Sequence, residues 1–119
     1  MNYVQGFVAA VPEANREAYR ERSEAIAAIL RENGALQMVE CWQADVPEGE
    51  LTSFPLAVQR KEGEAIVFSW LVWPSKGVAE TFMEKVMADE KLRREFEGMD
   101  KIFDGKRLIY GGFDVLVER

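Results

Sequence analysis

Hydrophobic and polar positions divide this chain into two similar units, and the first unit covers its N-terminal third. Residues 3–11 are rich in β-branched and aromatic side chains and stop before Pro12, as a strand does. Residues 14–33 place apolar side chains at helical spacing, and Gly34 is positioned to end that helix. Residues 36–43 predict a second strand. The first unit is therefore predicted to be β-α-β.

The segment between the two units has the composition of a loop. Residues 44–55, ADVPEGELTSFP, contain the Pro, Gly, Asp and Ser residues that favour turns. Ser53 can begin one short helical turn. An open fold with parallel strands needs a helix between every pair of strands, and residues 44–63 predict no full helix.

The second unit repeats the order of the first. Residues 64–73, EAIVFSWLVW, are the strongest strand pattern in the chain. Ser75 is a plausible N-cap for an amphipathic helix, and Asp89 for a further short helix that ends at Gly98. Residues 107–117 predict the last strand. The βαββαβ order predicts an α+β, ferredoxin-like sandwich with a four-stranded antiparallel sheet and both main helices on one face.

We expect residues 1–119 to form a single ferredoxin-like domain, since compact domains commonly have about 100 to 150 residues.

Both faces of its third strand are apolar. One face carries Ile66, Phe68, Trp70 and Val72, and the other carries Val67, Ser69, Leu71 and Trp73. Helices can cover only one face, so a second copy packed sheet to sheet is the predicted cover for the other.

Charge and composition exclude several classes of function. The chain has 21 acidic and 15 basic residues, a formal net charge of -6, so neither nucleic acid nor an anionic membrane is an expected partner. It contains no histidine, which excludes Ser-His and Cys-His nucleophiles, histidine metal sites and haem held by a proximal histidine. We therefore predict no metal and no cofactor.

The expected location is the cytoplasm. No apolar run reaches the roughly 18 residues of a membrane helix. Residues 1–12 lack the basic and apolar segments of a signal peptide, and the lone Cys41 has no partner for a disulfide within the chain.

Three glycines in the outer strands need an explanation. If the first and last strands are antiparallel neighbours, Gly6 lies near Gly112, beside Gly111, and the pair leaves a hollow in the sheet. Three explanations remain open: a β-bulge, a bulky ring that fills the hollow, or a ligand that contacts bare backbone. The candidate rings are Trp42, Trp70, Trp73 and Tyr110.

Five stretches of the sequence resemble one known family. They are YVQGFV, VECWQADVPEGELTSFP, EAIVFSWLVWPS, KVMAD and FDGKRLIYGGF, and together they run over nearly the whole chain. They are similar to the YbaA-like family, small bacterial proteins classed as a domain of unknown function. That resemblance implies a relationship to the dimeric α+β barrel superfamily, in which ferredoxin-like subunits pair through their sheets. It implies no activity. Relatives tend to carry acids where this chain has Gln5 and Ala44, and Pro-Phe-Asp-Gly where it has KIFDG.

The candidate chemistry is limited to a few polar residues. Glu40 shares its side of the second strand with Met38 and Trp42, and burial among apolar neighbours raises a carboxyl pKa and favours a general base. The alternative is a salt bridge at a sheet edge. Tyr110 is a second catalytic candidate, because it can donate a hydrogen bond into a pocket, although a core or interface position is the favoured interpretation.

Ligand contacts are predicted at two kinds of position. Asp104, Lys106 and Arg107 can bind an anion beside a turn, although Asp-Gly followed by basic residues also suits an ordinary exposed turn. The rings of Trp42 and Trp70 and the backbone of the three glycines are the candidates for an apolar ligand.

Function itself is left open by the sequence, and whether the protein is an enzyme is undecided. The preferred hypothesis is a homodimer that binds a small apolar or aromatic molecule in a pocket between sheet and helices. The alternative is a cofactor-independent, monooxygenase-like or isomerase-like enzyme in which Glu40 and Tyr110 polarise an aromatic substrate, which rests on fold analogy. A structural dimer without a ligand is the third hypothesis.

Overall fold

The predicted order of elements is confirmed in the computed structural model, which describes residues 2–119. The strands are β1 (Tyr3–Pro12), β2 (Gln37–Trp42), β3 (Glu64–Trp73) and β4 (Ile109–Asp114), and the helices are α1 (Arg16–Glu32), α2 (Phe54–Ala57), α3 (Lys76–Ala88) and α4 (Glu90–Glu97). The strands form one sheet in the order β2-β3-β1-β4, and every neighbouring pair is antiparallel. This is the ferredoxin-like topology.

Side-chain caps begin three of the helices where the sequence predicts them. The Ser53 and Ser75 hydroxyls accept from backbone amides in the first turns of α2 and α3. The Asp89 carboxylate accepts from two amides of α4. These bonds satisfy amides that have no partner inside the helix, which is why such residues mark helix starts.

The last strand is shorter than predicted. Residues 107–117 are expected to be extended, but β4 covers only Ile109–Asp114. At its start, the Asp104 side chain caps a 3-10 turn at Gly105–Arg107, which removes Arg107 from the strand. Beyond Asp114, the amide of Val115 still donates to the Asn2 carbonyl.

The main core lies between the sheet and its helices. Leu71 and Trp73 of β3 are buried there against two sets of helical side chains. Those side chains are Ile26 and Leu30 from α1 and Ala79, Phe82 and Val86 from α3. The apolar stripe of each helix is thus what attaches it to the sheet.

The opposite face of the sheet, called here the outer face, is covered at one end only. Val58, which follows α2, packs on Ala10 and Ile66 and is 1% exposed. Away from that end, Phe68 is 44% and Phe113 62% exposed. The second apolar face predicted from β3 is therefore present and largely uncovered in the single chain.

The glycines face one another in a regular ladder, so the β-bulge explanation is wrong. Gly6 pairs with Gly111, and Gly112 pairs with Gln5, one residue away from the predicted register. The ladder continues without interruption from Tyr3 to Val8 of β1.

Two rings of the same chain lie beside these glycines. A Cβ at Gly112 would overlap the ring and hydroxyl of Tyr3, and one at Gly111 would lie 3.5 Å from the Phe113 ring. The ring explanation therefore holds, but the rings are not among the four that the sequence analysis suggested. Ligand contact with this backbone stays a prediction.

Within residues 2–119, no helix is both long and apolar enough to cross a membrane.

Candidate functional site

A cleft of about 340 Å³ opens between α1 and the edge strand β2, on the helix side of the sheet. Its helix wall carries Arg16, Tyr19, Arg20, Ser23, Glu24 and Ala27, and its sheet wall carries Met38, Glu40, Trp42 and Val67, with Cys41 beside them. Most of this lining is apolar or aromatic, and a few polar groups converge on it. That combination is typical of small-molecule sites.

The local structure explains why these side chains meet. Met38, Glu40 and Trp42 alternate along β2, so all three point to the side that α1 covers. Tyr19 and Ser23 are one helical turn apart on α1 and both face the sheet. Because β2 is an edge strand, no further strand among residues 2–119 closes the cleft on that side.

Glu40 is held by a hydrogen bond from a tyrosine. The Tyr19 hydroxyl donates to Glu40 Oε1 at 2.6 Å. Burial raises the pKa of Glu40, and the hydroxyls of Tyr19 and Ser69 oppose that rise because they stabilise the carboxylate. No Lys or Arg of the described chain forms an ion pair with Glu40, so the edge salt bridge considered in the sequence analysis is not formed.

Tyr19 is held in its protonated, donating form. Burial, followed by the charge of Glu40 and the hydrogen bond to it, raises the pKa of Tyr19 far above its usual value. The Ser23 hydroxyl, which lies near Tyr19 without a well-formed hydrogen bond to it, acts weakly in the opposite direction. Tyr19 therefore orients Glu40 and does not itself act as a base near neutral pH.

Arg16 and Trp42 lie at one end of the cleft. The Arg16 guanidinium carbon is 5.2 Å from the centroid of the Trp42 ring, which is a cation-π arrangement. Trp42 also lies 6.5 Å from Tyr19, measured between ring centroids. The neighbouring Arg20 is engaged differently, because it pairs with Glu17 and Glu24 at 3.0 and 2.7 Å.

The structure brings together only some of the predicted site residues. Glu40 and Trp42 both line the cleft. Tyr110 does not, because it belongs to β4 at the opposite edge of the sheet, where it stacks on Phe7 and is 73% exposed. The pairing of Glu40 with Tyr110 in one site is therefore wrong for a single chain. Trp70 lies on the outer face beside Phe68.

The basic turn before β4 is tied to β3 by ion pairs. Arg107 donates to both carboxylate oxygens of Glu64, at 2.8 and 2.7 Å, and also to Asp104 at 3.1 Å. Hydrogen bonding from Arg107 lowers the pKa of Glu64. Lys106 is exposed and contributes its backbone amide to the Asp104 cap. Anion binding by Asp104, Lys106 and Arg107 stays a prediction, and the Arg107 guanidinium already has these internal partners.

Three residues of the cleft were missed from sequence: Arg16, Tyr19 and Ser23. Tyr19 counted only among the apolar side chains at helical spacing in residues 14–33, and Arg16 and Ser23 were not singled out. A signal was present, because the buried positions of α1 are Tyr19, Ser23, Ile26 and Leu30. Two polar groups in the N-terminal half of a buried stripe indicate a local polar contact. Glu40 as their partner could not be read from α1 itself.

The fold and the cleft together define a class: a ferredoxin-like α+β subunit with an open, small-molecule-sized cleft under its first helix. The chain belongs to the family described as "Protein of unknown function (DUF1428)", which matches residues 2–105. It is 47% identical over 118 residues to "Uncharacterized protein YbaA" of Escherichia coli strain K12, and the match covers 99% of each chain. The predicted family resemblance is confirmed.

Two solved structures with the same architecture are far more distant in sequence than this relative. One is a dimeric ferredoxin-like protein from an uncultured marine organism, with a TM-score of 0.66, 10% identity and coverage of 99% of this chain and 98% of that one. Another is a mutant of SnoaB, a cofactor-independent oxygenase from Streptomyces nogalater, with a TM-score of 0.61, 11% identity and coverage of 98% and 95%. At such identities the likeness shows the fold alone.

Proposed function

We propose that this protein is a homodimer that binds a small aromatic or apolar molecule in the cleft between α1 and β2. The observation that carries the proposal is Glu40, a partly buried carboxylate in an apolar cleft, oriented by Tyr19 at 2.6 Å and without a cationic partner in the described chain. Removing a charge from water without pairing it lowers stability. A ligand hydroxyl that donates to Glu40 would offset that cost.

The lining supports an aromatic or apolar ligand. Met38, Val67 and the rings of Tyr19 and Trp42 form the apolar walls. Polar groups at only a few points fix the orientation of a ligand without making the whole site hydrophilic. A single-ring phenol combines an apolar body with one hydroxyl, and it is the simplest molecule that matches this distribution.

The dimer is supported by the outer face. Phe68, Phe113 and Ile109 are each more than 40% exposed there, and a surface of this kind in a monomer favours association. Two sheets packed face to face lie about 10 Å apart and bury such side chains between them. One protein of similar fold is described as dimeric. In this arrangement the cleft stays accessible, because it lies on the opposite side of the sheet.

A cytoplasmic location belongs to the same proposal. It is supported by Cys41, the only cysteine, which is free and partly buried in β2.

The binding proposal is tested by titration with single-ring phenols and apolar cyclic compounds, followed by thermal unfolding and calorimetry. A ligand of the folded protein raises the melting temperature with its concentration. We expect Glu40→Gln to weaken binding about tenfold, because a hydrogen bond to a charged acceptor becomes a neutral one.

The matched control for this titration is Glu21→Gln, an exposed change of the same type on α1. It should bind as the wild type does. If no phenol or cyclic compound stabilises the wild type, the ligand-binding proposal fails and the structural dimer becomes the better hypothesis.

A second candidate function is favoured by the raised pKa of Glu40. A carboxylate of increased basicity can remove a proton from a ligand C–H next to a carbonyl or phenol. Returning the proton at another carbon completes an isomerisation. In air, a CH₂ group that loses two hydrogens to molecular oxygen becomes C=O, one oxygen atom stays on carbon, and the other leaves as water.

This enzymatic function is tested on any ligand found by titration, by following oxygen consumption and product mass. Turnover that Glu40→Gln abolishes, measured at a ligand concentration that saturates the variant, supports the enzyme. Tight binding without turnover supports a binding protein. Turnover unchanged in Glu40→Gln removes Glu40 from the mechanism.

A further inference from the structure

We propose that the cleft is selective for aromatic anions, namely single-ring phenols that also carry a carboxylate. Arg16 binds the ligand carboxylate, and the ligand hydroxyl donates a hydrogen bond to Glu40. The inference rests on the proposed binding function and adds the charge, the orientation and the residue that selects the ligand. It is carried by the arrangement of Arg16, Trp42, Glu40 and Ser23 along one cleft.

Arg16 is a cation placed at the cleft without an acid to neutralise it. Its guanidinium lies over the Trp42 ring, and no carboxylate within residues 2–119 forms an ion pair with it. A cation-π contact supplies no hydrogen-bond acceptor in the plane of the guanidinium, so the N–H groups stay available to a ligand. Those N–H groups form a planar fork that fits the two oxygens of a carboxylate.

The spacing of Trp42 and Glu40 along β2 is close to the length of one substituted benzene ring. Trp42 and Glu40 are two residues apart on β2, and that spacing along a strand is roughly 6.6 Å. Arg16 marks the Trp42 end and Tyr19 marks the Glu40 end. A ring with substituents at opposite positions spans a similar distance, which is what the proposed orientation requires.

Ser23 supplies an independent sign that a polar ligand atom belongs here. It lines the cleft, it is 6% exposed, and its Oγ has no hydrogen-bond partner in the described part of the chain. Buried hydroxyls without a partner are rare, because each loses its hydrogen bonds to water. The oxygen of a ligand hydroxyl that donates to Glu40 can accept from Ser23.

The remaining charges set the orientation. Glu24 also lines the cleft, but its carboxylate is paired with Arg20 at 2.7 Å. Glu40 is the unpaired acid and would repel a carboxylate placed beside it. The anionic end of the ligand is therefore directed towards Arg16 and the donating end towards Glu40.

The test compares 4-hydroxybenzoate with 4-hydroxybenzyl alcohol by calorimetry at pH 7. The two share the ring and the phenol and differ in the charge at the other end. We expect the wild type to prefer the acid by about tenfold, and Arg16→Gln to remove that preference while leaving the alcohol bound as before. Circular dichroism checks that the variant is folded.

The control is Arg31→Gln, which removes the same charge from an exposed position in the last turn of α1, away from the cleft lining. It should keep the full preference, which separates local recognition from a change in net charge. Equal binding of the two compounds by the wild type, or an equal loss of both in Arg16→Gln, overturns the charge selectivity and leaves the binding function standing. If neither compound binds the wild type, this inference fails together with the single-ring phenol ligand on which it rests.

Discussion

The Tyr19 hydroxyl donates a 2.6 Å hydrogen bond to Glu40 Oε1, and this contact joins α1 to the edge strand β2 across the candidate cleft. It links a phenol whose pKa is strongly raised to a carboxyl whose pKa is also raised by burial. The phenol therefore keeps its proton, and Glu40 is the group of the pair that titrates at lower pH. Stability and ligand binding should both depend on this contact.

Removing the donor should lower stability. Tyr19→Phe leaves Glu40 with one hydrogen bond fewer, and we expect a loss of about 2 kcal/mol in the free energy of unfolding at pH 8. At pH 4 the loss should be closer to 1 kcal/mol, because the acceptor is then largely protonated and uncharged. Urea unfolding measures both values. The control is Tyr110→Phe, whose residue is 73% exposed and should change stability by less than about 0.5 kcal/mol. Equal behaviour of the two variants would contradict the prediction.

The raised pKa of Glu40 has a defined effect on the pH dependence of stability. The folded state holds the Glu40 proton more tightly than the unfolded state, where the pKa is near 4.5. As pH rises from 4.5 through the raised folded pKa, the wild type should therefore lose stability relative to Glu40→Gln. Unfolding of both proteins from pH 4 to pH 8 measures the difference. A difference that stays constant, or changes in the opposite direction, would show that burial does not raise this pKa.

The pH dependence of stability that arises from Glu64 and Arg107 should have the opposite sign. Their side chains are 8% and 13% exposed and share two hydrogen bonds, and the pKa of Glu64 is lowered. The stabilisation by this pair is fully present above the pKa that Glu64 has in the unfolded state. It is lost as pH falls through the pKa that Glu64 has in the folded state. We expect Arg107→Gln to cost about 3 kcal/mol at pH 7, because it leaves a buried carboxylate unpaired.

Two variants control the measurement of the unfolding free energy of Arg107→Gln. Lys106→Gln, at the adjacent exposed position, should cost less than about 0.5 kcal/mol. Combining Arg107→Gln with Glu64→Gln should cost less than the two single changes added together, since the double variant has no orphaned charge. Additive costs would be evidence against a coupled pair.

Gly112 should not tolerate a side chain. A Cβ there overlaps the Tyr3 ring, so Gly112→Ala should destabilise the protein by about 1 to 3 kcal/mol. Gly6→Ala is the matched control, because its Cβ would lie 3.8 Å from the Phe113 ring, which is an ordinary contact. Adding Tyr3→Leu should restore part of the stability lost in Gly112→Ala. Equal tolerance at both glycines would argue against the close approach of Tyr3.

The proposed dimer predicts a change of mass on disruption of the outer face. Sedimentation of the wild type at micromolar concentration should give twice the 13.6 kDa chain mass. Phe68→Lys places a charge in the middle of the proposed interface and should give the single-chain mass. Met87→Lys, at a residue of α3 that is 67% exposed, should remain dimeric. A wild type that sediments as one chain would remove the dimer from the proposal.

Local rules were enough to place most of the elements. Ser75 and Asp89 begin helices because their side chains satisfy amides a few residues away, so nothing distant is needed. The bounds of β3 were predicted to the residue, since its apolar run is long and ends at a proline. The prediction of element bounds failed where a bound depends on a residue that is distant in the sequence. The shortening of β4 is an example, because Arg107 leaves the strand in a turn that holds it against Glu64.

The candidate site also contains some residues that were predicted from the sequence and others that were missed. Glu40 and Trp42 were found from their alternation along β2, which is a property of one strand. Tyr19, Ser23 and Arg16 were missed, because their roles arise only when α1 lies against β2. Within a single chain Tyr110 lies apart from Glu40, because β2 and β4 are the opposite edges of the sheet, a separation that the predicted ferredoxin-like order already implied.

By itself, then, the sequence determined the order of elements, the ferredoxin-like topology, the family and the two apolar faces of the sheet, since these follow from periodicity, capping and composition. Only the tertiary structure decided the register of Gly6 with Gly111, the rings beside the glycines and the partner of Glu40. The physical reason is that a buried charge or a missing side chain acquires its meaning from whatever packs against it, and those contacts join residues far apart in the chain.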